Sequence, residues 1–241
     1  MKLFNLDSPL MVALGKMADL MIVNVVALIC CIPIITIGPS LTALHYVALK
    51  IVRDEECYIV RGFFKSFKEN FKQGVLLWLI FLVVGIVIVG DIYIMQNSGI
   101  EFHFVLRIMV LVVAVLTTFT FTFAFPILAK FDNTIRRTLK NAFLISLMQF
   151  PKTILMILSA AVPILLILIS ESLIPITILF CLSFPAYASA LLYNKFFQKL
   201  EDQILAATEG ETGEVEESGE DDRIFRDELD ESLIESDVTV H

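Results

Sequence analysis

Charged residues divide this chain into five long uncharged stretches: Leu20–Leu49, Gln73–Gly90, Ile108–Ala129, Thr153–Ser170 and Ser172–Asn194. A membrane-crossing helix needs about 20 mostly apolar residues for a hydrocarbon core of roughly 30 Å. Inside lipid only a helix or a closed barrel satisfies its own backbone polar groups. The pattern therefore predicts an all-α protein, a polytopic transmembrane helix bundle with five spans.

The first stretch is too long for one simple span, and Pro33, Gly38 and Pro39 divide it. Leu20–Ile37 can cross, whereas Ser40–Val52 is short of a full crossing, at roughly 20 Å of helix. Ser40–Val52 is expected to lie in the interface or to tuck back against the bundle, with Ser40 as its N-cap. Thr118 and Thr122 stand one turn apart in the third stretch, placed to bond back to the preceding turn. Pro163 and Pro185 are expected to kink the last two spans.

Between the spans the pattern changes. In Tyr58–Gln73 (YIVRGFFKSFKENFKQ), Phe63, Phe67 and Phe71 recur every four residues with Lys65, Lys68 and Lys72 interleaved. This predicts an amphipathic helix with aromatic rings at the acyl boundary and ammonium groups among lipid phosphates, or on a partner protein. Lys130–Lys152 repeats the design, with Arg136, Arg137 and Lys140 beside Phe131, Ile135, Leu139 and Phe143. Together the two connections Lys50–Lys72 and Lys130–Lys152 hold eleven Lys and Arg, while the others have almost none. The positive-inside rule places both in the cytoplasm. Five spans then put the N-terminus outside and the C-terminus inside. A rival topology pairs Leu20–Ile37 with Ser40–Val52 as a hairpin and brings the N-terminus inside.

Composition agrees with a membrane protein, at 57% hydrophobic residues and a mean hydropathy of +0.82. The net charge of −8 is uneven along the chain. Glu209–His241 holds 14 acids against Arg223 and Arg226, leaving the remainder mildly basic. Residues 1–202 read as one membrane domain and 203–241 as an acidic, disordered cytoplasmic tail, in which Phe225, Leu229 and Leu233 could form a short helix on a partner. The low isoelectric point carries no argument for nucleic acid.

Candidate chemistry is sparse. No zinc-protease motif, phosphate-binding loop or nucleophile elbow is present, no cofactor is implied, and the histidines are only His45, His103 and His241. Cys30, Cys31, Cys57 and Cys181 lack C-x-x-C spacing and read as inert thiols. Membrane-embedded polar residues are the default functional candidates. Here these are Asp19 and Asp91 near span ends, Asn24 as an interhelical hydrogen-bond donor, and His45.

The block ADLMIVNVVALICCIPIITIGPSLTALHYVALKIVRDEECYIVRGFFKSFKENFKQG (Ala18–Gly74) resembles the YesL-like family of bacterial membrane proteins, a family of unknown function. KFDNTIRRTLKNAFLISLMQFPKTI (Lys130–Ile154) and FPAYASALLYNKFF (Phe184–Phe197) are similar to its downstream pattern, so the resemblance runs over about Met1–Glu201. It implies a multi-pass protein of the bacterial cell membrane, whose genes lie beside sugar ABC-transporter components and glycoside hydrolases. No catalytic residues come with it. The expected activity is that of a non-enzymatic accessory or regulatory partner in carbohydrate uptake, with a lipid bilayer and a transporter component as partners. The alternative is a small transporter or permease-like component with its own substrate pathway.

Overall fold

Helix follows helix through the computed structural model, which describes residues 9–55, 58–97, 103–131 and 133–217. Nine α-helices occur among them and no strand. Residues up to Lys195 form one compact unit; the second begins at Phe196. Five helical segments are long and apolar enough to cross a membrane: Leu10–Cys30, Ile34–Val52, Phe71–Asn97, Phe104–Lys130 and Phe150–Ile169. Glu171–Phe180 and Ser183–Gln203 form a further candidate, broken and bent by 55°.

The first helix, α1 (Pro9–Cys30), starts well before Leu20 and ends before Pro33, so the expected span Leu20–Ile37 is displaced. Proline supplies no backbone N–H, and the chain breaks there into a 3-10 turn, Ile34–Thr36. Helix α2 (Ile37–Val52) follows and holds Gly38 and Pro39 in its first turn, where a missing N–H is tolerated. Ser40 does not cap α2. Its hydroxyl donates to the Ala27 carbonyl at 3.0 Å, tying α2 to α1 near the turn. At the other end of the pair Lys16 meets Asp54 at 2.7 Å. These two ties make α1 and α2 an antiparallel hairpin.

Ten of the sixteen α2 residues are buried, including Ala43, Leu44, Val47 and Ala48, so this short helix is the centre of the core. Helices α1, α3, α4 and α5 all pack on it. It closes with Asp54 in the left-handed region (φ 53°), a conformation a short Asp side chain tolerates.

The expected amphipathic helix Tyr58–Gln73 is interrupted at Asn70. It comprises α3 (Ile59–Glu69) and the start of α4 (Phe71–Asn97). Gly74, one turn into α4, abuts Pro39 and the backbone of Gly38, at the beginning of α2. Helix α3 must therefore run back along α2, and it packs on α1 as well. A Cβ on Gly38 would collide with the Gly74 carbonyl, and one on Gly74 would stand 2.9 Å from the Pro39 nitrogen. Glycine is needed at both positions for α2 and α4 to meet.

The second half repeats this plan. Helix α5 (Phe104–Lys130) leads into α6 (Ile135–Met148), which packs closely along it, and α7 (Phe150–Ile169) leaves from there. The Phe119 and Phe150 rings lie 5.6 Å apart, so the chain has come back about 11 residues along α5, on the order of 16 Å. Phe81 of α4 packs against Phe121 and Phe125 of α5 at 5.2 and 6.3 Å. Thr118 and Thr122 bond back to the Ala114 and Thr118 carbonyls as their spacing predicts.

The stretch Ser172–Asn194 is not one continuous helix. Helix α8 (Ile174–Phe180) stops, and α9 (Ser183–Glu217) begins after Cys181 and Leu182. Pro185, expected as a mid-span kink, occupies the first turn of α9. Helix α9 also runs past Thr208 to Glu217, so the acidic segment begins as helix, continuing a helix already nucleated in the apolar region. Phe225, Leu229 and Leu233 lie outside the described residues, as does Cys57.

Candidate functional site

Two groups of polar side chains join helices of the bundle, one near the α1–α2 turn and one along the second half of α2. Near the α1–α2 turn, Asn24 is fully buried. Its Nδ2 donates to the Ile178 carbonyl at 2.8 Å, while its Oδ1 accepts from Leu182 N–H at 3.0 Å and Ser183 N–H at 3.1 Å. One amide thus satisfies the last turn of α8 and the first of α9. A helix break in an apolar bundle exposes such backbone groups, and an unmet one is costly. Sequence reasoning placed Asn24 between helices; its partner is the backbone of a break that proline alone did not locate. The hydroxyls of Thr177 and Ser183 beside that break are buried without a hydrogen-bond partner.

At the other end of α2, Arg53 is largely buried, with 9% of its side chain exposed. Its Nε donates to Asn194 Oδ1 of α9 at 2.8 Å, and its Nη1 lies 3.9 Å from Glu55 Oε1. Lys50 approaches Glu55 at 3.7 Å, and its ammonium stands over the Tyr46 ring at 5.2 Å. His45 faces the buried Tyr193 ring at 6.3 Å, with its Nδ1 buried and unpartnered. Of this group only His45 was a sequence candidate. Lys16, Arg53, Asp54 and Asn194 were not candidates, because nothing in the one-dimensional pattern says that α1 doubles back or that α9 passes α2.

The other candidates separate. Asp91 is exposed near the far end of α4, away from this group. Asp19 is half-buried on α1 and lines a cleft with Arg61. Phe63, expected at the interface, is completely buried and stacked 6.1 Å from Phe67. Phe67 is half-buried and Phe71 exposed, their rings 5.6 Å apart. Lys65, Lys68 and Lys72 are exposed on the same segment, and so are Arg136, Arg137 and Lys140 on α6. Sequence periodicity found the stripe but not which of its rings faces inward; Phe64, outside the four-residue repeat, is one of the outward ones.

Among the described residues no group of three or more His, Cys, Asp or Glu is placed to hold a metal ion. A cavity of about 770 Å3 lies between α4 and α5, walled by Trp78, Phe81, Gly85, Val89 and Phe121. The threonines on its edge, Thr117 and Thr118, donate their hydroxyls to their own helix. It is an apolar groove.

A model of a protein family of unknown function, DUF624, matches residues 20–92. That range takes in the second half of α1, all of α2 and α3, and α4 to Ile92, and so includes Asn24, Gly38, Arg53 and Gly74. Neither a curated protein nor a solved structure matches the chain. Residues 20–92 are thus similar to an uncharacterised family, on a helical bundle with the apolar helices of a membrane protein.

Proposed function

We propose that this chain is a non-enzymatic accessory membrane protein that meets a second membrane protein through the basic faces of α3 and α6. The setting we propose is carbohydrate uptake in a bacterial cell membrane, on the strength of the YesL-like resemblance, whose downstream segments extend past the matched range. The observation that carries the reading is the use of the buried polar groups. Asn24 is taken up by a helix break, Arg53 by Asn194 and Glu55, and Lys16 by Asp54. These contacts hold helices together, and the outward chemistry is left to exposed cations beside Phe64 and Phe71. Amphipathic surfaces of this kind dock partner helices through apolar anchors one turn apart.

The test is affinity purification from native membranes. Changing Phe64 and Phe71 together to Ala is expected to remove the co-purifying membrane protein while the thermal midpoint stays within a few degrees. Retention of the partner by this variant would refute docking through α3.

A small transporter is the second reading, favoured by the α8–α9 break, since discontinuous helices form the substrate sites of many transporters. Saturable sugar uptake into liposomes by the purified protein alone would establish it and displace the accessory reading.

A further inference from the structure

Asp19 and Arg61 face a common cleft of about 680 Å3, whose other walls are Ile22, Tyr58, Ile59 and Val60. The volume lies within the roughly 300–1,000 Å3 of small-ligand sites. One wall is the middle of α1 and the other the start of α3. The two meet because Lys16 of α1 is anchored to Asp54, four residues before Tyr58, where the described chain resumes.

That anchor also sets the charge of the cleft. Lys16 stands one turn before Asp19 and would be its natural partner on the helix. It is held instead at 2.7 Å from Asp54. Lys50 and Arg53 are engaged with Glu55, and Lys65 reaches Glu69 at 4.0 Å. Among the described residues Asp19 and Arg61 make no ion pair or hydrogen bond, with each other or with any other group. A half-buried carboxylate and an exposed guanidinium are thus left unpaired in one cleft, too far apart to neutralise each other directly.

The rest of the cleft is apolar and opens toward exposed apolar surface. Ile22 and Val60 are 45% and 44% exposed, and Tyr58 on the rim is 84% exposed. An ionisable group on a span is costly unless it meets an opposite charge. A ligand that satisfies both walls must carry an anion and a cation a few bonds apart, on a body that tolerates apolar surroundings. We propose that this cleft binds the headgroup of an ethanolamine phospholipid, its phosphate on Arg61, its ammonium on Asp19 and its acyl chains beyond Ile22. Guanidinium pairs with phosphate through charge-assisted hydrogen bonds, and a primary ammonium offers donors to a carboxylate. A choline headgroup has no such donor. A glycerol headgroup places no cation by Asp19 and adds a net negative charge next to a carboxylate.

The experiment uses delipidated full-length protein in detergent. It is titrated with phosphatidylethanolamine, phosphatidylcholine or phosphatidylglycerol of identical acyl chains, and bound lipid is counted by native mass spectrometry. One phosphatidylethanolamine is expected to be retained about tenfold more strongly than either of the others. Asp19→Asn should abolish that preference, and Arg61→Gln should weaken retention of all three lipids. Arg107→Gln, a cation lost from the exposed first turn of α5 outside the cleft, should change nothing. Ile22→Trp, which fills the cleft without altering a charge, should also lose the retained lipid; this second variant decides the matter if Asp19→Asn does not fold. Equal retention of phosphatidylglycerol, a preference that survives Asp19→Asn, or full retention by Ile22→Trp would each overturn the assignment. So would soluble phosphoethanolamine raising the thermal midpoint as much as the lipid does, since the ligand would then be a free zwitterion.

Discussion

Asn24 shows how much one side chain can decide in an apolar bundle. Its amide is acceptor for two backbone N–H groups and donor to one carbonyl, all at a break between helices. Each buried group left without a partner costs about 1–3 kcal/mol. Asn24→Ala should therefore destabilise the protein by about 2 kcal/mol or more, read as a lowered thermal midpoint in detergent. Leu182 and Ser183 amide protons should then exchange faster than those of α5. Glycine provides the complementary case, where the absence of a side chain is what matters. A methyl group on Gly38 meets the Gly74 carbonyl and the Trp78 side chain, whereas Gly85 has nothing within 4 Å. Gly38→Ala should cost about 3 kcal/mol, the upper end for an added methyl, because backbone cannot move aside as a flexible side chain can. Gly85→Ala, on an open helix face, should leave the thermal midpoint unchanged or slightly raised.

Among the elements, α3 departs furthest from its one-dimensional reading. A Phe stripe interleaved with Lys describes a helix lying at an interface, and its outward residues suit that description. Yet α3 folds back along α2 and inserts Phe63 into the core with no exposed surface. Phe63→Ala should then cost about 3–5 kcal/mol, the usual range for removing a buried ring. Phe64→Ala, with 40% of Phe64 exposed, should cost under about 1 kcal/mol. Equal losses in the two variants, measured by thermal unfolding, would mean that α3 packs in a different rotation. Helix α2 carries the same lesson. Its length and composition admit a span, but α3 returns the chain to the beginning of α2 before α4 departs. Its role is set by the four helices around it more than by its hydropathy.

For the whole molecule, the Lys16–Asp54 pair places the start of α1 at the end of the bundle from which the basic α3 departs. The five-span reading separates the N-terminus from that connection; the hairpin brings them together. In a background without native cysteines, Leu10→Cys and Lys65→Cys should react with an impermeant thiol reagent from the same side of the membrane. Asn97→Cys, at the far end of α4, should react from the other. Labelling of Leu10→Cys together with Asn97→Cys would restore the N-out topology.

That the chain is helical with several long apolar stretches, and where the two basic amphipathic connections fall, are determined by the sequence itself. The cause is local: hydropathy over about 20 residues and a period of 3.6 are properties of neighbours in the chain. Similarity to an uncharacterised family was legible in the same way, because it lies in contiguous residues. The tertiary structure decided the rest. It made the short helix α2 the core, turned Phe63 inward, broke the last span at Cys181 and set Asn24 against that break. It joined Arg53 to Asn194 across 141 positions, and left Asp19 and Arg61 unpaired on one cleft. Each of these depends on which helix lies beside which. Glycine contacts, side-chain amides and ion pairs between distant residues settle that order, and none of them has a period or a spacing along the chain.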